Sequence, residues 1–288
     1  MSFSEILAAD AAAVQERLTA ALADKADEPV IQAMRYALNG GKRLRGFLVL
    51  ESARLHGVGD RALSAAAAIE ALHAYSLIHD DLPCMDDDDL RRGQPTVHKK
   101  WDEATAVLAG DALQTLAFEL LCDPVLGSAE VRMGLVLGLA KASGAEGMVL
   151  GQALDMAAEI ARNPLTLDQI THLQAGKTGA LIRFSAQAGA IIAGADTRPL
   201  NAYAQALGLA FQIADDILDV KGDPAKAGKR LGKDAEAGKA TFVSLLGLEG
   251  AEARAAALIA EAEAHLAPYG TKAATLVAAA RFVIARES

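Results

Sequence analysis

Apolar residues recur three and four positions apart along almost the whole of this 288-residue chain, and no run keeps the two-residue alternation of a strand. Such a chain can bury its apolar stripes only by laying helix against helix. Alanine is abundant, aromatics make up 4% and prolines number 8, a mixture that favours helices. The pattern predicts helices over 4–24, 29–38, 43–57, 62–85, 101–122, 129–143, 147–162, 167–193, 199–220, 239–247, 250–267 and 272–286. The breaks carry Gly, Pro or Asn, as in "NGGK", "RRGQPT", "ARNPLT" and "GADTRP". No fixed-period repeat and no Pro/Ser-rich linker divides the chain, so the expected class is all-α in a single domain, 1–288. The least regular segment is 221–240, "KGDPAKAGKRLGKDAEAGKA", which is locally positive and reads as a lid or an insert.

The formal net charge of −9 argues against duplex binding, which is driven by neutralising phosphates with Lys and Arg. Cys84 and Cys122 have no CxxC or His/Cys framework around them, so a thiolate zinc site is not expected and a reducing, cytoplasmic compartment is. The N-terminal stretch is acidic and amphipathic rather than a signal peptide. Charges such as Asp111, Glu119, Lys141, Glu146 and Arg183 interrupt the long apolar runs, and no membrane span is expected.

Two aspartate clusters sit inside this apolar pattern. "HDDLPCMDDDDLRRG" holds Asp80, Asp81 and Asp86 as DDxxxxD, and "GLAFQIADDILDV" holds Asp215, Asp216 and Asp219 as DDxxD. Carboxylate oxygens are hard ligands suited to Mg²⁺, whose shell substrate phosphates often complete. On a continuous helix Asp80 and Asp86 would diverge by about 120°. Pro83 should end the helix and let Asp86 return toward Asp80. Negative charge is unfavourable at a helix C-terminus, which counts against a merely solvated acidic end. Asp215 and Asp219, four apart, share a face with Gln212, within a helix flanked by Phe211, Ile213, Ile217 and Leu218. Acidic groups are costly there unless paired or metal-bound. Di-iron bundles use Glu and ExxH pairs, which are absent.

Basic residues accompany both clusters: Lys42, Arg43 and Arg45 in "NGGKRLRG", Arg91 and Arg92 after the first, Lys177 in "AGKTGA", and Lys229 and Arg230 in the 221–240 segment. His73 lies seven before Asp80 and points nearly the same way, although a histidine on an apolar helix is more often structural. "GKT" is not a Walker A motif, because Thr171 stands where its first glycine belongs and no strand precedes it. Metal-binding carboxylates with two basic sets imply polyphosphate ligands.

The ordered set "GGKRLR", "HAYSLIHDDLPCMDDDDLRRGQPTVH", "LAGDALQTLAF", "GKTGALI" and "GLAFQIADDILDVKGD" resembles the trans-isoprenyl diphosphate synthase family over essentially the whole chain. It is most similar to the bacterial members that make the fifteen-carbon, farnesyl, diphosphate. The resemblance implies an all-α isoprenoid synthase-type bundle around a deep central cavity, usually homodimeric, with the two Asp motifs facing each other at its mouth. Mg²⁺ ions, about three of them, would be bound by Asp80, Asp86 and Asp215, supported by Asp81 and Asp219, and would grip the allylic diphosphate. Arg91, Lys177 and Lys229 would touch the same diphosphate. Lys42, Arg45, His73 and Arg92 would bind isopentenyl diphosphate, and Thr178 and Gln212 would face the reacting carbons. The implied reaction is ionisation of the allylic C–O bond, attack by the isopentenyl double bond and loss of a proton to the released diphosphate.

The same resemblance implies that product length is set by what blocks the cavity. Tyr75 and Ser76 precede Asp80 by five and four residues; a helical wheel alone favours Ser76, at about 40° from Asp80 against about 140° for Tyr75. The family pattern instead favours Tyr75, because an aromatic there, with the two-residue insertion in the Asp motif, marks the fifteen-carbon enzymes. The chain departs from the family at Gly46 and Val243, both usually proline. Altered helix starts are expected there, with activity kept, and Gly46 leaves Lys42 and Arg45 freer than proline would. The rival readings are a geranyl or geranylgeranyl synthase, a terpene cyclase, whose second metal motif is usually Asn/Ser/Glu-based, and a non-catalytic synthase subunit, which typically lacks one Asp motif.

Overall fold

The computed structural model describes residues 1–161, 163–221 and 240–285. Its helices are α1 (Phe3–Ala21), α2 (Pro29–Ala37), α3 (Leu44–Leu55), α4 (Leu63–Asp80), the single turn α5 (Val97–Lys100), α6 (Glu103–Leu121), α7 (Ala129–Ser143), α8 (Met148–Glu159), α9 (Leu167–Lys177), α10 (Gly179–Ala193), α11 (Arg198–Lys221), α12 (Phe242–His265) and α13 (Ala274–Ala285). Among the described residues, the strands are the two-residue pair β1 (Leu90–Arg91) and β2 (Gln94–Pro95), antiparallel. The fold is all-α, as the periodicity predicts.

Two compact units divide the contacts: Met1–Leu137 with Ala188–Ala195, and Gly138–Gln187 with Asp196–Ser288. In the first, α4 packs on α6, α3 and α1. Its run Ala65–Ala68 is wholly buried, and side chains this small let neighbouring helices come close. In the second, α11 packs on α12 and α13, and α8 lies along α9. Glycine sets the spacing of that last pair. A Cβ on Gly151 would lie 2.0 Å from the Lys177 backbone nitrogen, and one on Gly176 would lie 3.1 Å from the Gly147 carbonyl oxygen. The two backbones therefore touch, which fixes where Lys177 leaves α9.

The predicted 62–85 helix ends at Asp80. Pro83 cannot supply the N–H that would continue it, and the chain turns so that the Asp86 N–H donates to the Asp80 carbonyl at 2.9 Å. The predicted 167–193 helix is two, divided at Thr178. The predicted 239–247 and 250–267 helices form one element from Phe242, kinked where Gly247 takes φ 71°. The β1–β2 turn was not predicted from periodicity: Arg92 and Gly93, at φ 53° and 75°, make the left-handed two-residue turn that suits a hairpin.

Neither departure from proline costs a helix start. At α12 the Thr241 and Ser244 side chains each accept from the other's backbone N–H, a capping box. At α3 the Gly46 N–H donates to Glu70 Oε1 at 2.8 Å, a bond proline could not make. Glu70 also pairs with Arg43 at 3.5 Å, both side chains being buried, and Arg43 donates to Gln15 and the Leu38 carbonyl. Arg43 thus anchors the segment between Lys42 and Arg45, so the expected loosening is offset.

Residues Glu103–Leu121 and Ala129–Glu159 are apolar and long enough on average to cross a membrane. The first is α6, whose apolar face is packed on α4, and the second is broken at 144–147 into two helices.

The α8–α9 contact yields a test. Gly151→Ala should destabilise the protein by at least ~2 kcal/mol, because the methyl group meets rigid backbone. Urea unfolding midpoints of the variant and the parent protein would measure it.

Candidate active site

The first unit gathers one set of the predicted residues at the end of α4. Asp81 is buried and accepts from Arg91 Nε at 2.8 Å, with the Arg91 Nη2 group also bound; Asp88 lies 3.9 Å from that nitrogen. Burial raises the Asp81 carboxyl above the usual range, and Arg91 opposes the rise. Asp81 and Arg91 therefore hold one another, whereas Asp80 and Asp86, joined through the backbone, lie at the more open side of the turn. Arg92 donates to the Asn39 carbonyl at 3.3 Å, and its guanidinium fills the space that a Cβ on Gly41 would need. A cavity of about 310 Å³ opens here, lined by Asn39, Gly41, Asp81, Arg91, Arg92 and Thr96 among others. That volume is at the lower end for a small-ligand site. Tyr36 steadies its rim, donating to the Pro95 carbonyl at 2.8 Å while the Lys100 ammonium sits 3.7 Å from its ring centre.

His73 belongs to this cluster. Burial, then the positive charges of Arg45, Arg92, Arg91 and Arg43, hold its pKa well below the ordinary value. The ring is neutral near pH 7 and can serve as a hydrogen-bonding group, not a charge. Arg45 and Arg92 thus lie near enough for His73 to feel their charge; Lys42 is exposed on the adjoining segment.

One and a half turns before Asp80, Tyr75 is buried, its ring edge-to-face with His79 at 5.3 Å. His79 in turn lies against α6, where a Cβ on Gly110 would fall 2.1 Å from its Nε2, and that nitrogen is 3.1 Å from the Val107 carbonyl oxygen. Ser76 donates back to the His73 carbonyl at 2.9 Å. The ring is braced by a neighbouring side chain, and the serine by the backbone of its own helix.

The second unit carries the other set. Lys177 donates to Asp155 at 2.6 Å, across the glycine contact between α8 and α9. The Thr178 hydroxyl is 3.3 Å from both Gln174 Oε1 and Gln212 Oε1. Asp215 and Asp219 are partly exposed on α11, and Asp216 between them is buried. Lys229 lies outside the described residues, as does most of the 221–240 segment.

Sequence reasoning missed Asp155, Gln152 and Glu70. The Gln152 Nε2 donor is buried with no hydrogen-bond partner among the described residues, three positions from Asp155 on α8. The available signal was "GQALD", a glycine and two polar side chains within an apolar helix, the same kind of exception that marked the aspartates.

Among the described residues no three His, Cys, Asp or Glu side chains already converge as a metal cage. The donors are nonetheless those Mg²⁺ prefers. It keeps water and takes substrate phosphate as ligands, so it does not need a closed protein cage.

Comparison with known proteins agrees with this chemistry. The profile of the family described as polyprenyl synthetase matches residues 27–273. The chain is 51% identical over 269 residues to a farnesyl diphosphate synthase of Escherichia coli, covering 90% of this chain and 89% of that one. It is 42% identical to a chloroplastic geranylgeranyl pyrophosphate synthase of Capsicum annuum, covering 96% and 77%. The crystal structure of an FPP/GFPP synthase from Zymomonas mobilis superposes with a TM-score of 0.90 at 47% identity, covering 98% of both chains. The chain belongs to the polyprenyl synthetase family and is a prenyltransferase.

The depressed His73 pKa sets a pH signature. In the unfolded chain histidine binds a proton near pH ~6.5. Folded His73 resists it, so its stabilising contribution is complete above ~6.5 and falls as pH drops toward the folded value. His73→Gln should flatten the stability slope between about pH 6.5 and 5, measured by denaturant titration at each pH.

Proposed function

We propose that the chain is a farnesyl diphosphate synthase, condensing isopentenyl diphosphate with dimethylallyl diphosphate and then with the geranyl product, as one polyprenyl synthetase domain. The main support is the arrangement at the end of α4, where Asp80 and Asp86 are brought back together beside a cluster of guanidiniums around a neutral His73. Relatives named for that activity reach 51% identity.

Asp80, Asp86, Asp215 and Asp219 are the side chains that would hold Mg²⁺, with Asp81 acting through Arg91. When bound, the metal supplies positive charge to the diphosphate leaving group. Arg91, Lys177 and Lys229 would add cations to the same diphosphate. Lys177, held by Asp155, turns its open side to a phosphate oxygen, and the buried Gln152 Nε2 offers a further donor. Arg91 and Lys177 are each held by a carboxylate partner, so little reorganisation of either would accompany ionisation. Lys42, Arg45, His73 and Arg92 hold isopentenyl diphosphate. Its double bond attacks the allylic cation, beside Thr178 and Gln212, and the proton leaves to the departed diphosphate. The apolar walls keep water from the cation. Tyr75, braced by His79, stops growth at fifteen carbons, while Ser76 is tied to the backbone.

We also propose a homodimer. α6 exposes Val107 and Leu108 (57% exposed), and α7 exposes Met133 (68%) and Leu137 (56%), more apolar surface than an isolated helix face needs. Two exposed thiols, Cys84 and Cys122, fit a reducing cytoplasm. The likeness to the Capsicum geranylgeranyl synthase keeps a twenty-carbon product as the second reading.

Incubation with Mg²⁺, labelled isopentenyl diphosphate and either allylic diphosphate, followed by separation of the dephosphorylated products, tests the assignment. A dominant fifteen-carbon product is expected; a dominant ten- or twenty-carbon product moves the choice to another synthase, and no condensation removes the reading. Asp80→Ala and Asp215→Ala should each lower kcat by at least about 100-fold in a folded protein. Tyr75→Ala should lengthen the product; an unchanged product would remove Tyr75 from the cavity floor.

A further inference from the structure

The motif "DDILD" holds three aspartates, and the metal reading uses Asp215 and Asp219. Asp216 points inward and is 5% exposed. Gln212 Nε2, 3.1 Å from Oδ1, and the backbone N–H of Phe242 at the start of α12, 2.7 Å from Oδ2, both donate to it. A carboxylate only accepts, so the part of the Gln212 amide that faces it is the NH₂. The amide oxygen is then fixed on the other side, 3.3 Å from the Thr178 hydroxyl. Gln174 presents a second amide oxygen to that hydroxyl at the same distance. Thr178 has one hydroxyl proton, and these two acceptors claim it. Toward any third group the hydroxyl has only lone pairs to offer.

We propose that Asp216 is a positioning residue, which sets the polarity of the Gln212 amide so that Gln212 and Thr178 turn oxygen, not N–H or O–H, toward the cationic carbon of the allylic substrate. This rests on the prenyltransferase reading above and gives the third aspartate a task apart from metal binding. The carboxylate is held from two elements, since the Phe242 N–H opens α12 and Gln212 lies one turn back on α11. Preorganised dipoles of this kind act where charge develops and need not move when it does.

Asp216→Asn keeps the shape and leaves one oxygen for the Phe242 N–H, but turns an NH₂ toward Gln212. The Gln212 amide must flip, its NH₂ then faces Thr178, and a threonine lone pair is consumed. The expected result is a kcat lower by about 10- to 100-fold. KM for both diphosphates, the Mg²⁺ concentration for half-maximal rate and calorimetric binding of Mg²⁺–diphosphate should stay within about threefold.

The charge-conserving double variant D216N/Q212E restores the pattern. The amide introduced at position 216 donates to one oxygen of the carboxylate introduced at position 212, and the other oxygen accepts from Thr178. It should recover kcat to within about fivefold of the parent. A D216N kcat equal to that of the parent overturns the proposal. So does a loss that the double variant fails to recover. A Mg²⁺ requirement raised more than about tenfold in D216N makes Asp216 a metal ligand instead, and also overturns it. A parent protein inert toward both substrates removes the functional reading and this inference with it, whereas an active parent with an unaffected D216N removes the inference alone.

Discussion

Charge inside an apolar helical protein must be held by a partner, and that requirement organises this structure. Removing ionised groups from water is expensive unless each finds an opposite charge or fixed hydrogen bonds. Glu70 meets Arg43 and the Gly46 N–H, Asp81 meets Arg91, Lys177 meets Asp155, and Asp216 meets Gln212 and the Phe242 N–H. Each of these carboxylates ties together separate stretches of chain, and each lies at or beside a residue assigned to substrate. The surface pairs, such as Arg198–Asp196 and Arg281–Glu263, lie in high dielectric and contribute little by comparison.

These partnerships divide into two kinds. Arg43–Glu70 is closed on both sides, and its work is to hold the "GGKRLR" segment over α4. Lys177–Asp155 and Arg91–Asp81 involve cations that are still partly exposed. A diphosphate can take up the open side of such a cation without leaving its first partner bare. Each of these two cations is thereby held in place by its carboxylate, and on the proposed reading it is aimed before substrate arrives. Glycine is what allows the aim: without Gly151 and Gly176 the α8 and α9 backbones could not touch, and without Gly41 the Arg92 guanidinium would have no room.

Much of this was legible from spacing. Helix class follows from the three- and four-residue recurrence of apolar positions, and the predicted break at Pro83 follows from a missing N–H. The return of Asp86 to Asp80 was expected for that reason and is present as a backbone bond. The division at Thr178 was not legible, because "GKTGALI" keeps its apolar period through the break. Nor was the hairpin at 90–95, which depends on backbone conformation at Arg92 and Gly93 and buries too little to leave a pattern. Asp155 was missed because one acidic residue on an amphipathic helix is ordinary until its partner, 22 residues away, is known. The wheel put Ser76 nearer Asp80 than Tyr75, yet bracing depends on what lies opposite, and Gly110 leaves space there for His79 behind the ring.

By itself the sequence determined the all-α class, the two aspartate sets and the kind of ligand they suit, because periodicity and ligand chemistry are properties of short stretches. Which aspartate faces outward and which is held inside was decided by tertiary structure. Asp215 and Asp216 are adjacent and chemically identical. Only the packing of α12 beside α11, with a backbone N–H aimed at one of the two carboxylates, makes Asp216 a fixed internal acceptor and leaves Asp215 on the open side.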